Sequence, residues 1–182
     1  MQRRNFLQAA LALPITMTAL RSVAASAANT LESVRASWRT LMPKSFTAPS
    51  PTDVVTLSED AWREKLSALE YDVLRKEGTE RAGTSALDGE KRPGIFVCRG
   101  CELPVFSSAM KYDSGTGWPS FYTAIPDSFA TKRDFKLVWP RTEYHCVRCG
   151  GHHGHIFNDG PEPTGERWCN NGAALKFLPA GE

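Results

Sequence analysis

The sequence lacks any apolar run long enough to cross a bilayer, so no membrane-spanning helix is expected. It lacks a charge imbalance. Lys and Arg number 22 against 20 Asp and Glu, a net charge of +2, which argues against a partner held mainly by charge, such as a nucleic-acid backbone. It lacks whole-unit internal repeats, and it lacks low-complexity tracts outside one Pro-rich stretch. Its cysteines lack an even count: five thiols cannot all enter internal disulfides. What is present is 182 residues, 41% of them hydrophobic, which suits one ordinary core and one domain.

The chain opens MQRRNFLQAALALPITMTAL. Arg3-Arg4 precede a moderately apolar stretch, and Ala25-Ser26-Ala27 supplies a small-residue exit. That layout reads as a cleavable leader over residues 1–28, similar to a twin-arginine leader, and it predicts a periplasmic protein with no membrane contact once the leader is removed. Pro14 argues against the alternative, a basic helix of the mature fold. Twin-arginine transport carries proteins folded before export, which suits one that acquires a metal in the cytoplasm.

Residues 29–55 include PKSFTAPSPTD and read as a linker or wrapping arm. The domain proper is expected over 56–182. Ser58 is a plausible N-cap, with Trp62, Leu66 and Leu69 at helical spacing, Val73 and Leu74 continuing that face, and Gly78 as a stop. One or two helices are expected there, with Trp62 in the core. From Gly94 onward, GIFVC, DFKLVWP, TEYHCV and ALKFLP alternate with turn residues and read as antiparallel strands. The fold class is α+β, mainly β.

Four cysteines form two C-x-x-C knuckles, Cys98/Cys101 and Cys146/Cys149, each with glycine at or just after its turn. Two such knuckles suit one tetrahedral zinc with all four positions filled by thiolates, which is a structural site. Two disulfides, or a redox-active C-x-x-C, are the alternatives.

The fifth thiol, Cys169, stands in GERWCNNG. Arg167 and Asn171 lie two residues to either side, so in a strand all three share a face. A guanidinium beside a thiol favours the reactive thiolate. His152, His153 and His155 precede them and exchange protons near neutral pH, and Asp159 is a possible partner for Arg167. The three histidines also admit a metal site, and a lone thiol is often only a small buried hydrophobe. In SGTGWPSF, two glycines allow close backbone approach around Trp118 and Phe121, a suitable wall for a small apolar group such as a methyl. A zinc-ribbon binding module and a thiol-disulfide oxidoreductase are the rival readings.

The segments CRGCELPVFSSAMKYDSGTGWPSFY and EYHCVRCGGHHGHIFNDGPEPTGERWCNNGAALKF resemble the methionine sulfoxide reductase B family, over about Leu57 to Phe177. The resemblance implies two antiparallel sheets, an N-terminal helical flank, one structural zinc per chain and reduction of the R epimer of methionine sulfoxide, in protein or free. It implies Cys169 as nucleophile, Trp118 against the substrate methyl, His152 and His155 in the active site, and Asp159, Arg167 and Asn171 in support. His153, Trp168 and Asn170 depart from the family's usual residues. So does Thr116, which stands where many members carry a resolving cysteine. An external thiol or thioredoxin-like reductant is therefore expected.

Overall fold

The computed structural model describes residues 30–136 and 139–181, so the leader expected over 1–28 lies outside the described residues. Ser58 caps α1 (Glu59–Lys65), its side chain accepting the Ala61 N–H, with Glu59 and Asp60 in the first turn and Arg63 and Lys65 near the end. Ser67 then starts α2 (Ala68–Lys76) through a capping box with Glu70. The break between the helices rotates the apolar stripe. Trp62, Leu66, Val73 and Leu74 are buried, but Leu69, expected on the same face, is half exposed. Glu77, not Gly78, takes the left-handed conformation that ends α2 (φ 55°). Gly78 makes room for Asp72, whose Oδ2 would lie 2.0 Å from a Cβ there.

The segment before these helices is a packed arm. Residues 30–36 are helical and run into a 3-10 turn at Ser37–Leu41 that buries Trp38. Arg35 Nε donates to Thr123 Oγ1 at 2.8 Å, and the Val55 N–H donates to the Arg148 carbonyl at 2.7 Å. Its Pro-rich sequence carries no periodicity that would have announced the helix.

Two antiparallel sheets follow. The smaller holds β2 (Pro104–Ser107), β1 (Gly94–Cys98) and β9 (Leu175–Pro179) in that order. β1 is central and wholly buried, while Pro104 opens an edge strand, where a missing N–H costs nothing. The larger sheet runs β3 (Lys111–Tyr112), β4 (Ser120–Phe121), β8 (Arg167–Asn170), β7 (His152–Phe157), β6 (Arg141–Cys146), β5 (Phe129–Asp134). Between the sheets sits an aromatic core: Phe106 stacks on Phe121 at 3.8 Å, and Phe96 meets Phe121 edge-on at 5.1 Å. The strand expected at DFKLVWP is a correction. The strand is β5, which ends at Asp134, and Phe135 and Trp139 are 73% and 80% exposed in the connection to β6. β5 is a polar edge strand, so its composition hid it; Leu137 and Val138 lie outside the described residues.

Register decides which side chains meet. Ser120, Cys169, His155, Glu143 and Lys132 are successive cross-strand partners from β4 to β5, so they share one face of the sheet. Phe121, Trp168 and Ile156 form the next row, on the opposite, core-directed face. Pairing of β6 with β7 slips by one residue: Tyr144 faces Gly154, but His145 faces His152. His153 is thus the extra residue of a β-bulge. Three residues apart on a regular strand, His152 and His155 would point to opposite faces. The bulge returns His152 to the face of His155, with their rings 5.4 Å apart, and turns His153 into the core.

Candidate active site

Cys169 is half buried in a small cleft of about 130 Å³, lined by Thr79, Trp118, Arg141, Gly154, His155, Phe157 and Asn171. Gly154 permits the close approach of β7 to β8: a Cβ there would lie 1.9 Å from the Cys169 carbonyl oxygen. Arg167 makes a bidentate pair with Asp159 (2.8 and 2.9 Å), lies over the Phe157 ring and brings its charge near the Cys169 thiol. Burial pushes the Cys169 thiol up from its ordinary value; the Arg167 charge and hydrogen bonds from Arg167 and Thr116 pull the other way.

His155 stands across the strand pair from Cys169. Its Nε2 lies 2.7 Å from Asp134 Oδ2, and Arg141 donates to the same oxygen at 2.6 Å. Asp134 is held well below the usual carboxylate range, first by the Lys136 backbone N–H and also by His155 and Arg141. An ionised carboxylate only accepts, so His155 carries its proton on Nε2 and presents Nδ1 as the free lone pair. Burial pushes His155 itself down, so the ring is neutral at neutral pH.

Glu80 ties the walls of the cleft together. Its buried carboxylate accepts the N–H groups of Gly172 (2.6 Å) and Ala173 (2.8 Å), just beyond β8. Its own N–H donates to Asn171 Oδ1 at 3.0 Å, and its carbonyl accepts the Trp118 indole N–H at 3.2 Å. The Asn171 amide also donates to the His153 carbonyl at 2.9 Å.

The four knuckle thiols converge at the ends of β1 and β6 and the turns that follow them. All four sulfurs lie within 4.8 Å of one another, are buried and are not disulfide-bonded. Cys98 and Cys149 sulfurs are 3.7 Å apart, and Cys101 and Cys146 3.5 Å apart. A tetrahedral ion with metal–sulfur bonds of about 2.3 Å has sulfur–sulfur edges of about 3.8 Å, so the set fits such an ion. A left-handed residue follows each knuckle, Glu102 (φ 64°) and Gly150 (φ 68°). Gly100 serves differently: a Cβ there would crowd Cys149 Sγ at 3.3 Å.

A family model described as the SelR domain matches residues 66–179. The chain belongs to this family. Its members here include the chloroplastic peptide methionine sulfoxide reductase B1 of Arabidopsis thaliana, 43% identical over 75% of this chain and 72% of that protein. Peptide methionine sulfoxide reductase MsrB of Leptospira interrogans is 48% identical over 68% of this chain and 95% of its own length. MsrB of Bradyrhizobium diazoefficiens is 46% identical, over 70% and 92%. These relatives support the methionine sulfoxide reductase B resemblance drawn from the motifs.

In this SelR chain the structure brings Cys169, His155, Arg167, Asp159, Asn171 and Trp118 to one place. His152 stands behind His155, buried, with Nδ1 on Glu143 Oε1 at 2.9 Å; it lines a separate cavity with Lys132 and His145. Phe121, expected beside Trp118 at the substrate wall, is fully buried in the aromatic core, because strand alternation turns it away from Ser120 and Cys169. Sequence reading missed Glu80, Asp134, Arg141 and Thr79. Glu80 lies beyond a helix end and Asp134 is the last residue of β5, both far from Cys169 in sequence, so no local pattern pointed to either.

Proposed function

We propose that this cleft reduces methionine-R-sulfoxide through Cys169, as the catalytic centre of a peptide methionine sulfoxide reductase that repairs oxidised protein. The observation that carries the reading is the direct cross-strand pairing of Cys169 with His155 inside a cleft that Trp118 also lines. The cleft volume suits a methyl thioether side chain and little more. Trp118 receives the methyl, and the sulfoxide oxygen points to the His155 side. Cys169 sulfur attacks the sulfoxide sulfur. An S–S bond forms as the sulfoxide oxygen takes up the thiol proton, with His155 Nδ1 as the exchange site; the S–O and S–S bonds at the methionine sulfur then break, the oxygen passing as hydroxyl to the Cys169 sulfur and the electron pair staying on the thioether. Thiol plus sulfoxide thus become thioether plus cysteine sulfenic acid. Arg167 and Asn171 hold the thiol and its strand; His152, through Glu143, steadies the histidine side.

The S epimer exchanges methyl and oxygen and cannot satisfy both walls. Turnover of the two epimers of N-acetyl-methionine sulfoxide with dithiothreitol tests this. R should be consumed and S left; equal rates would sink the reading.

The other four thiols are gathered in the knuckles, so recycling falls to an external thiol or thioredoxin-like protein: two reductant thiols become a disulfide, and the sulfenic oxygen leaves as water. After one turnover without reductant, dimedone should label Cys169. A Thr116→Cys variant should instead form a disulfide to Cys169, since the resemblance places a resolving cysteine at this position, provided the two backbones come within disulfide reach. The knuckle ion is proposed to be zinc, one per chain and structural, because four thiolates leave no open position. Export through the Arg3-Arg4 leader to the periplasm is proposed from sequence alone; substituting both with lysine should retain the protein in the cytoplasm.

A further inference from the structure

Trp118 and Phe157 are the two large apolar side chains that line the Cys169 cleft. Each is anchored by a polar group. The Trp118 indole N–H donates to the Glu80 carbonyl at 3.2 Å. The Arg167 guanidinium lies over the Phe157 ring, 4.3 Å from its centroid, and is itself fixed by two hydrogen bonds to Asp159, at 2.8 and 2.9 Å.

Phe157 is the cross-strand partner of Arg167, as His155 is of Cys169, and the register between the two pairs is regular. Phe157 and His155 are two residues apart on β7, so both stand on the face that bears Cys169. Phe157 is thus the diagonal neighbour of Cys169, about 7–8 Å away and within reach of an aromatic side chain. The reaction proposed above leaves this ring without a role.

A sulfoxide sulfur bears three different groups: the oxygen, the methyl and the methylene stem of the residue. The His155 side and Trp118 receive the first two. Two fixed groups do not tell the epimers apart. With its stem unheld, the S epimer sends that stem to the mirror-image side and still lays its methyl on Trp118 and its oxygen toward His155. Exclusion of the S epimer therefore requires a third contact, on the stem. Methylene groups gain from an apolar wall, and Phe157 is the large apolar wall that remains.

We propose that Phe157 is a specificity-determining residue: its ring, held by Arg167 and Asp159, receives the methylene stem of methionine-R-sulfoxide and so excludes the S epimer. The proposal rests on the reading of Cys169 as the nucleophile for this substrate.

The test is kcat/KM for the R and S epimers of N-acetyl-methionine sulfoxide with dithiothreitol, on the full, metal-loaded chain. In Phe157→Ala the R-to-S ratio should fall about tenfold or more, with kcat on the R epimer within about threefold of wild type. Phe157→Leu, which keeps apolar bulk, should fall between the two. An unchanged ratio in Phe157→Ala overturns the proposal. So does an equal loss on both epimers, which would mark a structural effect. A second measurement uses the wild type alone and decides should the alanine variant lose its fold or metal. N-acetyl-S-methylcysteine sulfoxide is one methylene shorter, reaches Phe157 less, and should show an R-to-S ratio about tenfold lower than the methionine compound; an equal ratio overturns the proposal. Wild-type turnover of the R epimer is measured first. Its absence removes the proposed reaction, whereas R turnover with an unmoved ratio removes the role of Phe157 alone.

Discussion

Five thiols of one chain occupy two opposed environments. Cys98, Cys101, Cys146 and Cys149 are buried, mutually within 4.8 Å, and presented by two tight turns that leave no room for a further ligand. Cys169 is half buried on a strand, with a guanidinium charge and a neutral imidazole near it and open space in front. The same functional group is made inert by convergence in one place and made usable by isolation in the other. Isolation also leaves Cys169 without a partner to resolve its oxidised form.

The strongest way to break the comparison is Cys169→Ser. A hydroxyl is a far weaker nucleophile at neutral pH, so turnover of the R epimer should fall by about 10³-fold or more, with metal content and melting unchanged. Residual activity near wild type would move the nucleophile elsewhere. Cys98→Ser should do the reverse: it should release the metal and lower Tm by about 10 °C or more, because binding energy at a four-thiolate site is folding energy. Full metal content by elemental analysis together with an unchanged Tm would refute the shared site.

Glu80→Ala sharpens the contrast on the cleft side. Removing the acceptor of the Gly172 and Ala173 N–H groups loosens the segment beyond Cys169 and the tie to Trp118. A fall of about tenfold in kcat/KM on the small R substrate is expected, with metal retained. The smallest effect lies between the two regions. His153 is fully buried, donates from Nδ1 to Asn170 Oδ1 beside the Tyr144 hydroxyl, and is pushed down to about 3 by burial. Between about pH 6.5 and that value the unfolded chain binds a proton that the folded one refuses. Its contribution to stability is therefore complete above pH 6.5 and falls by about 1.4 kcal/mol per pH unit as pH drops through that window. His153→Leu should flatten this part of a Tm-against-pH curve; an unchanged slope would show that other groups set it.

The parts of the site legible in the sequence were those written locally. The C-x-x-C spacing, the N-cap at Ser58, and the R-x-C-x-N alternation each depend on a few neighbouring residues, and the structure realises each of them. Phe121 was misplaced because its face depends on the pairing of β4 with β8, not on its neighbours. His152 and His155 share a face only because β7 carries one extra residue against β6. Strand DFKLVWP failed because an exposed apolar connection looks like a buried strand in composition alone.

The sequence by itself determined which thiols are grouped and which is alone, since short-range spacing controls whether sulfurs on one turn can converge. Only the tertiary structure decided what surrounds the lone thiol. Sheet register and a bulge set His155 against Cys169 and Asp134 against His155, and Glu80 ties the segment beyond Cys169 to Trp118, with α2 docked against the larger sheet; all are set by burying one apolar face of each element.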